Sequence, residues 1–197
     1  MKRVILAILK PIVWLLFPYK VIGRENIPDA SVRHVLCCNH ISMVDPVFLL
    51  ETYPRHIYFM AKGELFKNKL LAWVFTKFGA FPVDRGTADN GAVKTAEDLV
   101  NAGKTMGIFP EGTRSKTGEL LRVKSGASLI AAHTKAAMLP VVVVTKNQKI
   151  RLFRRVKIVY GPLLSVEELH LDGERPELRY ASRLLMDRMR TMLEENR

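Results

Sequence analysis

Val35-Leu36-Cys37-Cys38-Asn39-His40-Ile41-Ser42-Met43-Val44-Asp45-Pro46-Val47-Phe48-Leu49-Leu50 joins two apolar runs through a polar turn. The first run is apolar at every position, as in a strand covered on both faces. Asp45-Pro46 is a helix-start signal, with Asp as N-cap and Pro at the first helical position. The second run is therefore the opening of a helix, and strand, loop and helix together make the first half of a βαβ unit. His40 falls on the loop and Asp45 closes it. A loop, unlike a continuous helix, lets the carboxylate fold back onto the imidazole, the arrangement that holds a base for proton abstraction. A loop histidine beside an unrelated capping aspartate fits the same stretch.

The alternation continues on both sides. Strands are predicted at Val32–Cys38, Ile57–Ala61, Ala80–Val83, Met106–Phe109, Pro140–Thr145 and Val156–Tyr160. Helices are predicted at Pro46–Thr52, Leu70–Phe78, Ala88–Asn101, Ser125–Ala136 and Pro176–Glu195. Leu71, Val74, Phe75 and Phe78 share one face of the second helix at helical spacing. Gly103 stops the third. The pattern predicts a single α/β domain with a mostly parallel or mixed central sheet flanked by helices.

The chain has 197 residues, 48% hydrophobic and 25% charged, with a formal net charge of +12. That is enough for one substantial core, and the charge favours a partner bearing negative charge. Cys37 and Cys38 are adjacent and sit in an apolar run, so they read as buried small hydrophobes; they match no disulfide framework or metal spacing. Residues 4–17 are apolar apart from Lys10 and Pro11. They are too short to span about 30 Å of hydrocarbon and lack a signal-peptide cleavage site. Residues 1–19 are read as a membrane-interface helix, with Trp14, Phe17 and Tyr19 at the headgroup boundary and Lys2, Arg3, Lys10 and Lys20 meeting anionic lipid. Docking on the chain's own core is the other reading. The basic and apolar run Lys146–Lys157, with six of the 31 Lys and Arg around Ile150, Leu152 and Phe153, suits a membrane surface, single-stranded nucleic acid or a solvated loop.

In α/β sheets, sites form at the carboxyl ends of strands. Here those loops bring Lys62, Arg85 and Arg114, with Gly86 and Gly112 permitting close backbone approach. Two guanidinium forks beside backbone donors suit a phosphate monoester. Glu111 is placed to anchor an arginine or accept from a substrate hydroxyl. Neither a P-loop nor a dinucleotide glycine pattern is present, so nucleotide hydrolysis and hydride transfer have no support.

These residues together resemble the glycerolipid acyltransferase family, of which the 1-acylglycerol-3-phosphate (lysophosphatidic acid) acyltransferases are the best-known members. Asn39-His40 with Asp45 is similar to its N-H-x4-D motif. Phe81-Pro82-Val83-Asp84-Arg85 resembles the second motif, Phe109-Pro110-Glu111-Gly112-Thr113-Arg114-Ser115 the third and Leu139-Pro140-Val141 the fourth. Val21 to Pro28 and Lys62-Gly63-Glu64-Leu65 are similar to further recurrent blocks, so the resemblance covers about residues 20 to 160. It departs at Val123, where members often carry an aromatic before the lysine. The resemblance implies His40 as general base and Asp45 as its orienting partner. It implies that Arg85, Glu111, Gly112, Thr113 and Arg114 bind a lysophospholipid acceptor, and that Lys62 helps position the donor. The donor would be acyl-CoA or acyl-carrier protein as co-substrate, with no cofactor, no metal and no specific nucleic acid. The enzyme would sit on an anionic membrane surface at the cytoplasmic face. Another lysolipid or glycerol-3-phosphate as acceptor, or a non-catalytic phospholipid-binding protein, stands beside that reading.

Overall fold

The computed structural model describes residues 10–84, 89–146 and 148–197. The described strands are β1 (Tyr19–Ile22), β2 (His34–Cys38), β3 (Ile57–Lys62), β4 (Ala80–Val83), β5 (Thr105–Ile108), β6 (Ala137–Thr145) and β7 (Val156–Tyr160). They form one sheet in the order β1-β7-β6-β2-β5-β3-β4. β6, β2, β5, β3 and β4 run parallel. β7 runs against β6, and β1 lies parallel to β7. The sheet is therefore mixed, with its parallel part in the middle.

Five helices flank it: α1 (Asp45–Thr52), α2 (Lys69–Lys77), α3 (Asn90–Asn101), α4 (Gly126–Thr134) and α5 (Leu178–Glu195). Residues 10–16 are also helical. Among the described residues no helix is long and apolar enough to cross a membrane.

All five residues of β2 are buried, and they divide by alternation as a two-sided strand must. Leu36 and Cys38 face a core built with Phe48 and Leu49 of α1. Val35 and Cys37 face the opposite core, built with α3, α4 and α5 through Ala96, Ile130 and Leu185. Both cysteines are free and buried, and burial pushes the Cys37 thiol up to about 12, so neither is a ready nucleophile.

β1 is the strand that the periodicity does not reveal. Tyr-Lys-Val-Ile is four residues at a sheet edge, and its pairing partner Val156 opposite Tyr19 lies far along the chain. β6 begins at Ala137, before Pro140. That proline is tolerated because the last β6–β7 pair is Val141 with Tyr160, so no ladder bond needs its missing N–H. Phe17 and Tyr19, expected at the headgroup boundary, are half-buried, and both rings pack edge-on against Phe48 of α1. Val13 also packs on that core, while Ile12, Trp14 and Leu15 are exposed. The described part of the N-terminal segment is thus docked on one side and open on the other. Residues 1–9 lie outside the described residues.

Candidate active site

His40 sits immediately beyond β2, in the middle of the parallel strands. Its side chain is nearly buried, and its Nδ1 lies 2.8 Å from Asp45 Oδ2. The same carboxylate oxygen accepts from the amides of Ile41 at 2.7 Å and Ser42 at 2.8 Å. Three donors therefore converge on one oxygen of a carboxylate that is fully buried. Asp45 is the first residue of α1, and Val44 occupies the N-cap position. The expectation that Asp45 caps the helix is corrected. The amides of Val47 and Phe48, which a cap would satisfy, already bond to the Val44 carbonyl at 2.9 and 3.1 Å. Asp45 is free to fold its carboxylate backwards into the loop. Ser42 Oγ accepts from the Val44 amide at 3.3 Å and so serves the loop.

Two side chains from elsewhere hold this loop. Asn39 both donates to Val143 O at 3.1 Å and accepts from Val143 N at 2.8 Å, which extends the β2–β6 pairing by one rung of side chain. Glu111, 2% exposed, accepts from the His40 amide at 2.8 Å with one oxygen and from the Leu121 amide at 2.8 Å with the other. The Ser115 amide in turn donates to His40 O at 2.7 Å. Burial raises the Glu111 pKa, while the two amides pull it back down. Its carboxylate is thus occupied by backbone amides rather than by an arginine, and it ties the loop after β5 to the loop after β2.

The imidazole is stacked on Phe109, with ring centroids 4.1 Å apart and planes 22° from parallel. Phe109 lies in turn against Phe59 of β3. The sequence reading assigned no role to Phe109 beyond opening the third motif at the end of a predicted strand; in the structure it is the first residue after β5.

Two clefts meet at His40. One, of about 430 Å³, runs between α1 and α2 and is lined by Val47, Leu50, Phe59, Val74 and Phe75, with Lys62 and Arg114 also on its wall. The other, of about 360 Å³, is lined by Phe109, Gly112, Lys124, Ser125, Asp84 and Asp89. Lys62 and Arg114 thus come together at the first cleft, both exposed. Lys62 is paired with Glu64 at 2.7 Å, an exposed contact that a ligand displaces at little cost. Gly112 adopts φ 69°, in the region that favours glycine, and the side chain of Lys124 lies where its Cβ would be. Lys124 is a third cation at the described site, one that the sequence reading left without a role. Thr113 is exposed between Gly112 and Arg114. Arg85 lies outside the described residues.

Two clefts, the second mixing Asp84, Asp89, Lys124 and Ser125 with Met60, Val93 and Leu129, join at a histidine whose Nδ1 is fixed by a carboxylate, which leaves Nε2 as the ring nitrogen available for proton transfer. Such a geometry can activate a hydroxyl held in one cleft against an electrophile on a long apolar chain.

Comparison with known proteins follows the same outline. The family model described as Acyltransferase matches residues 18–144, which hold every loop described above. The 1-acyl-sn-glycerol-3-phosphate acyltransferase of Bacillus subtilis is 37% identical over 170 residues, covering 84% of each chain. The protein of that name from Streptococcus pneumoniae is 34% identical over 121 residues, which are 60% of this chain and 44% of that one. The crystal structure of the 1-acyl-sn-glycerophosphate (LPA) acyltransferase PlsC from Thermotoga maritima matches with a TM-score of 0.71 over 97% of this chain and 80% of that one. At 22% identity it is a likeness of fold.

Proposed function

The chain belongs to the acyltransferase family and is an acyltransferase enzyme. From that premise we propose that it moves a fatty acyl group from acyl-CoA or acyl-carrier protein to the free hydroxyl of 1-acylglycerol-3-phosphate, giving phosphatidic acid. The names of its relatives support this acceptor. The observation that carries the mechanism is the threefold anchoring of Asp45 Oδ2, which aims the carboxylate at His40 Nδ1 at 2.8 Å.

His40 Nε2 takes the hydroxyl proton as that oxygen attacks the thioester carbonyl. Asp45 fixes the tautomer and stabilises the imidazolium that forms. The tetrahedral intermediate then collapses, the carbon–sulfur bond breaks, and the departing sulfur takes the proton from His40. A thiolate is a good leaving group, so no covalent enzyme intermediate is needed. Arg114 and Arg85 grip the acceptor phosphate, with Gly112 and Thr113 offering the backbone approach, Lys62 positions the donor, and Glu111 keeps the loop after β5 in register with His40. The apolar cleft between α1 and α2 takes acyl chain. Residues 1–19 form a membrane-interface segment ahead of the catalytic domain, residues 20–197, and the enzyme works on an anionic membrane surface at the cytoplasmic face.

The test is transfer of labelled acyl groups from acyl-CoA and from acyl-carrier protein to 1-acylglycerol-3-phosphate, glycerol-3-phosphate and other lysolipids, wild type beside His40→Ala. Loss of a general base lowers the rate by about 10²–10⁴. A folded His40→Ala protein with near-normal transfer overturns the mechanism, and preference for another acceptor overturns the substrate.

A further inference from the structure

α2 has the composition of a buried helix and the exposure of a surface one. Six of its nine residues are apolar, Leu70 to Phe75, yet none of the nine is buried. Val74 and Phe75 line the apolar cleft. Leu70, Leu71 and Trp73 are 70%, 45% and 51% exposed, so Leu71, expected on the packing face, points largely to solvent. A helix that is apolar around its circumference needs cover on all sides, and a helix this short does not persist on propensity alone. Charge identifies the cover. Around α2 stand Lys67, Lys69 and Lys77, and the nearby acid Glu64 is already paired with Lys62.

The sheet topology adds a second observation. β7 and β1 run against β6, so their amino ends lie at the same rim as the carboxyl ends of β2 and β3. That rim gathers the His40 loop with exposed Met43, the first turn of α2, and the β6–β7 loop with exposed Leu152 and Phe153. The Phe153 amide bonds to Leu16 O at 2.6 Å, which brings the exposed Trp14 and Leu15 to the same edge. Among the described residues, α3, α4 and α5 on the other face contribute no strongly exposed large apolar side chain.

We infer that α2 is a lipid-inserting element. Leu70, Leu71 and Trp73 enter the acyl region of an anionic leaflet, Lys67, Lys69 and Lys77 meet the headgroup phosphates, and the cleft between α1 and α2 opens into hydrocarbon instead of water. The inference rests on the reading of the acceptor as a membrane lipid, and it supplies a dry route by which a long acyl chain reaches His40.

Trp14 and Trp73 are the two tryptophans, so a Trp14→Phe protein reports on Trp73 alone. Mixed with vesicles of phosphatidylcholine and phosphatidylglycerol, its emission shifts to the blue and is quenched by brominated acyl chains. With phosphatidylcholine alone both effects are weaker. Separately, a Leu70→Ser/Leu71→Ser protein loses at least about tenfold in transfer to a long-chain acceptor presented in vesicles, the order expected for two leucines withdrawn from hydrocarbon. It keeps wild-type transfer to a short-chain acceptor in free solution. The inference is overturned if Trp73 stays unshifted while the protein sediments with vesicles, or if its emission is already blue in buffer. It is equally overturned if uncharged vesicles quench as well, or if both transfer rates fall together. A wild-type protein inactive even on the short-chain acceptor would sink the substrate reading instead, with the fluorescence result still deciding insertion.

Discussion

Replacing Asp45 by asparagine separates the charge of the His40 partner from its geometry. Oδ2 is the common target of His40 Nδ1 and of the Ile41 and Ser42 amides, while Oδ1 has no hydrogen-bond partner. Three donors fix which end of the asparagine amide carries oxygen, and the NH2 enters the site of Oδ1 without evicting a bond. Tautomer and loop are thereby kept, and only the negative charge is removed. A unit pair about 4 Å apart is worth about 4 kcal/mol at an effective dielectric of about 20. With roughly a quarter of that retained by the amide dipole, about 3 kcal/mol of imidazolium stabilisation disappears, which is about a hundredfold in kcat. The acceptor KM stays put, because Asp45 is fully buried. Asp45→Ala is the contrast: it strands three donors at about 1–3 kcal/mol each and shows first as unfolding. Initial rates against both substrates, with thermal melts of each variant, separate the two. An Asp45→Asn enzyme within about threefold of wild type would remove the electrostatic role; a melt as low as that of the alanine variant would make Asp45 structural.

Arg114→Ala raises the acceptor KM by about tenfold, near the low end for a charged hydrogen bond at an exposed rim; a rise confined to the donor KM refutes the phosphate assignment. Burial holds His34 below its ordinary 6.5, with its ring between Val32 O and the Tyr53 hydroxyl. The unfolded chain therefore binds the extra proton first. Its contribution is intact above pH 6.5 and is lost as pH falls from there toward the depressed folded value. Urea midpoints measured from pH 7 down to pH 5 drop in wild type, and the part due to this residue vanishes in His34→Gln; equal slopes contradict it. Gly107→Ala forces a Cβ to within 2.5 Å of the Phe59 ring and 2.6 Å of Ile57 Cγ2, an overpacking cost of about 1–3 kcal/mol. Because Phe59 stacks on Phe109 and Phe109 on His40, kcat falls along with the melting temperature, and an unshifted melt rules that coupling out.

The strand-end loops were legible because their signals are local. Asn39-His40 follows a run of apolar residues, Asp45-Pro46 marks a helix start within a residue of where α1 begins, and Gly112, singled out for close backbone approach, has a φ of 69°. What was illegible depends on partners distant in sequence. β1 is a strand only because β7 is beside it, and Phe17 and Tyr19 turn inward only because Phe48 waits there. Glu111 looked like a ligand for arginine or substrate. Which groups claim a buried carboxylate is decided by the amides that folding delivers, and here they are those of His40 and Leu121. Leu71 obeyed helical periodicity, but periodicity describes one face of a helix, and α2 is apolar on more than one.

The bonds joining His40 to the loop after β5 have a kinetic meaning. His40 gives its amide to Glu111 and accepts from Ser115, while Glu111 also holds Leu121. The loops after β2 and β5 cannot loosen one at a time without stranding a buried carboxylate. Their amides should exchange with solvent as one cooperative unit, so that a molecule has either a whole site or none, and partial activity at the edge of unfolding reflects a mixed population rather than a weakened catalyst.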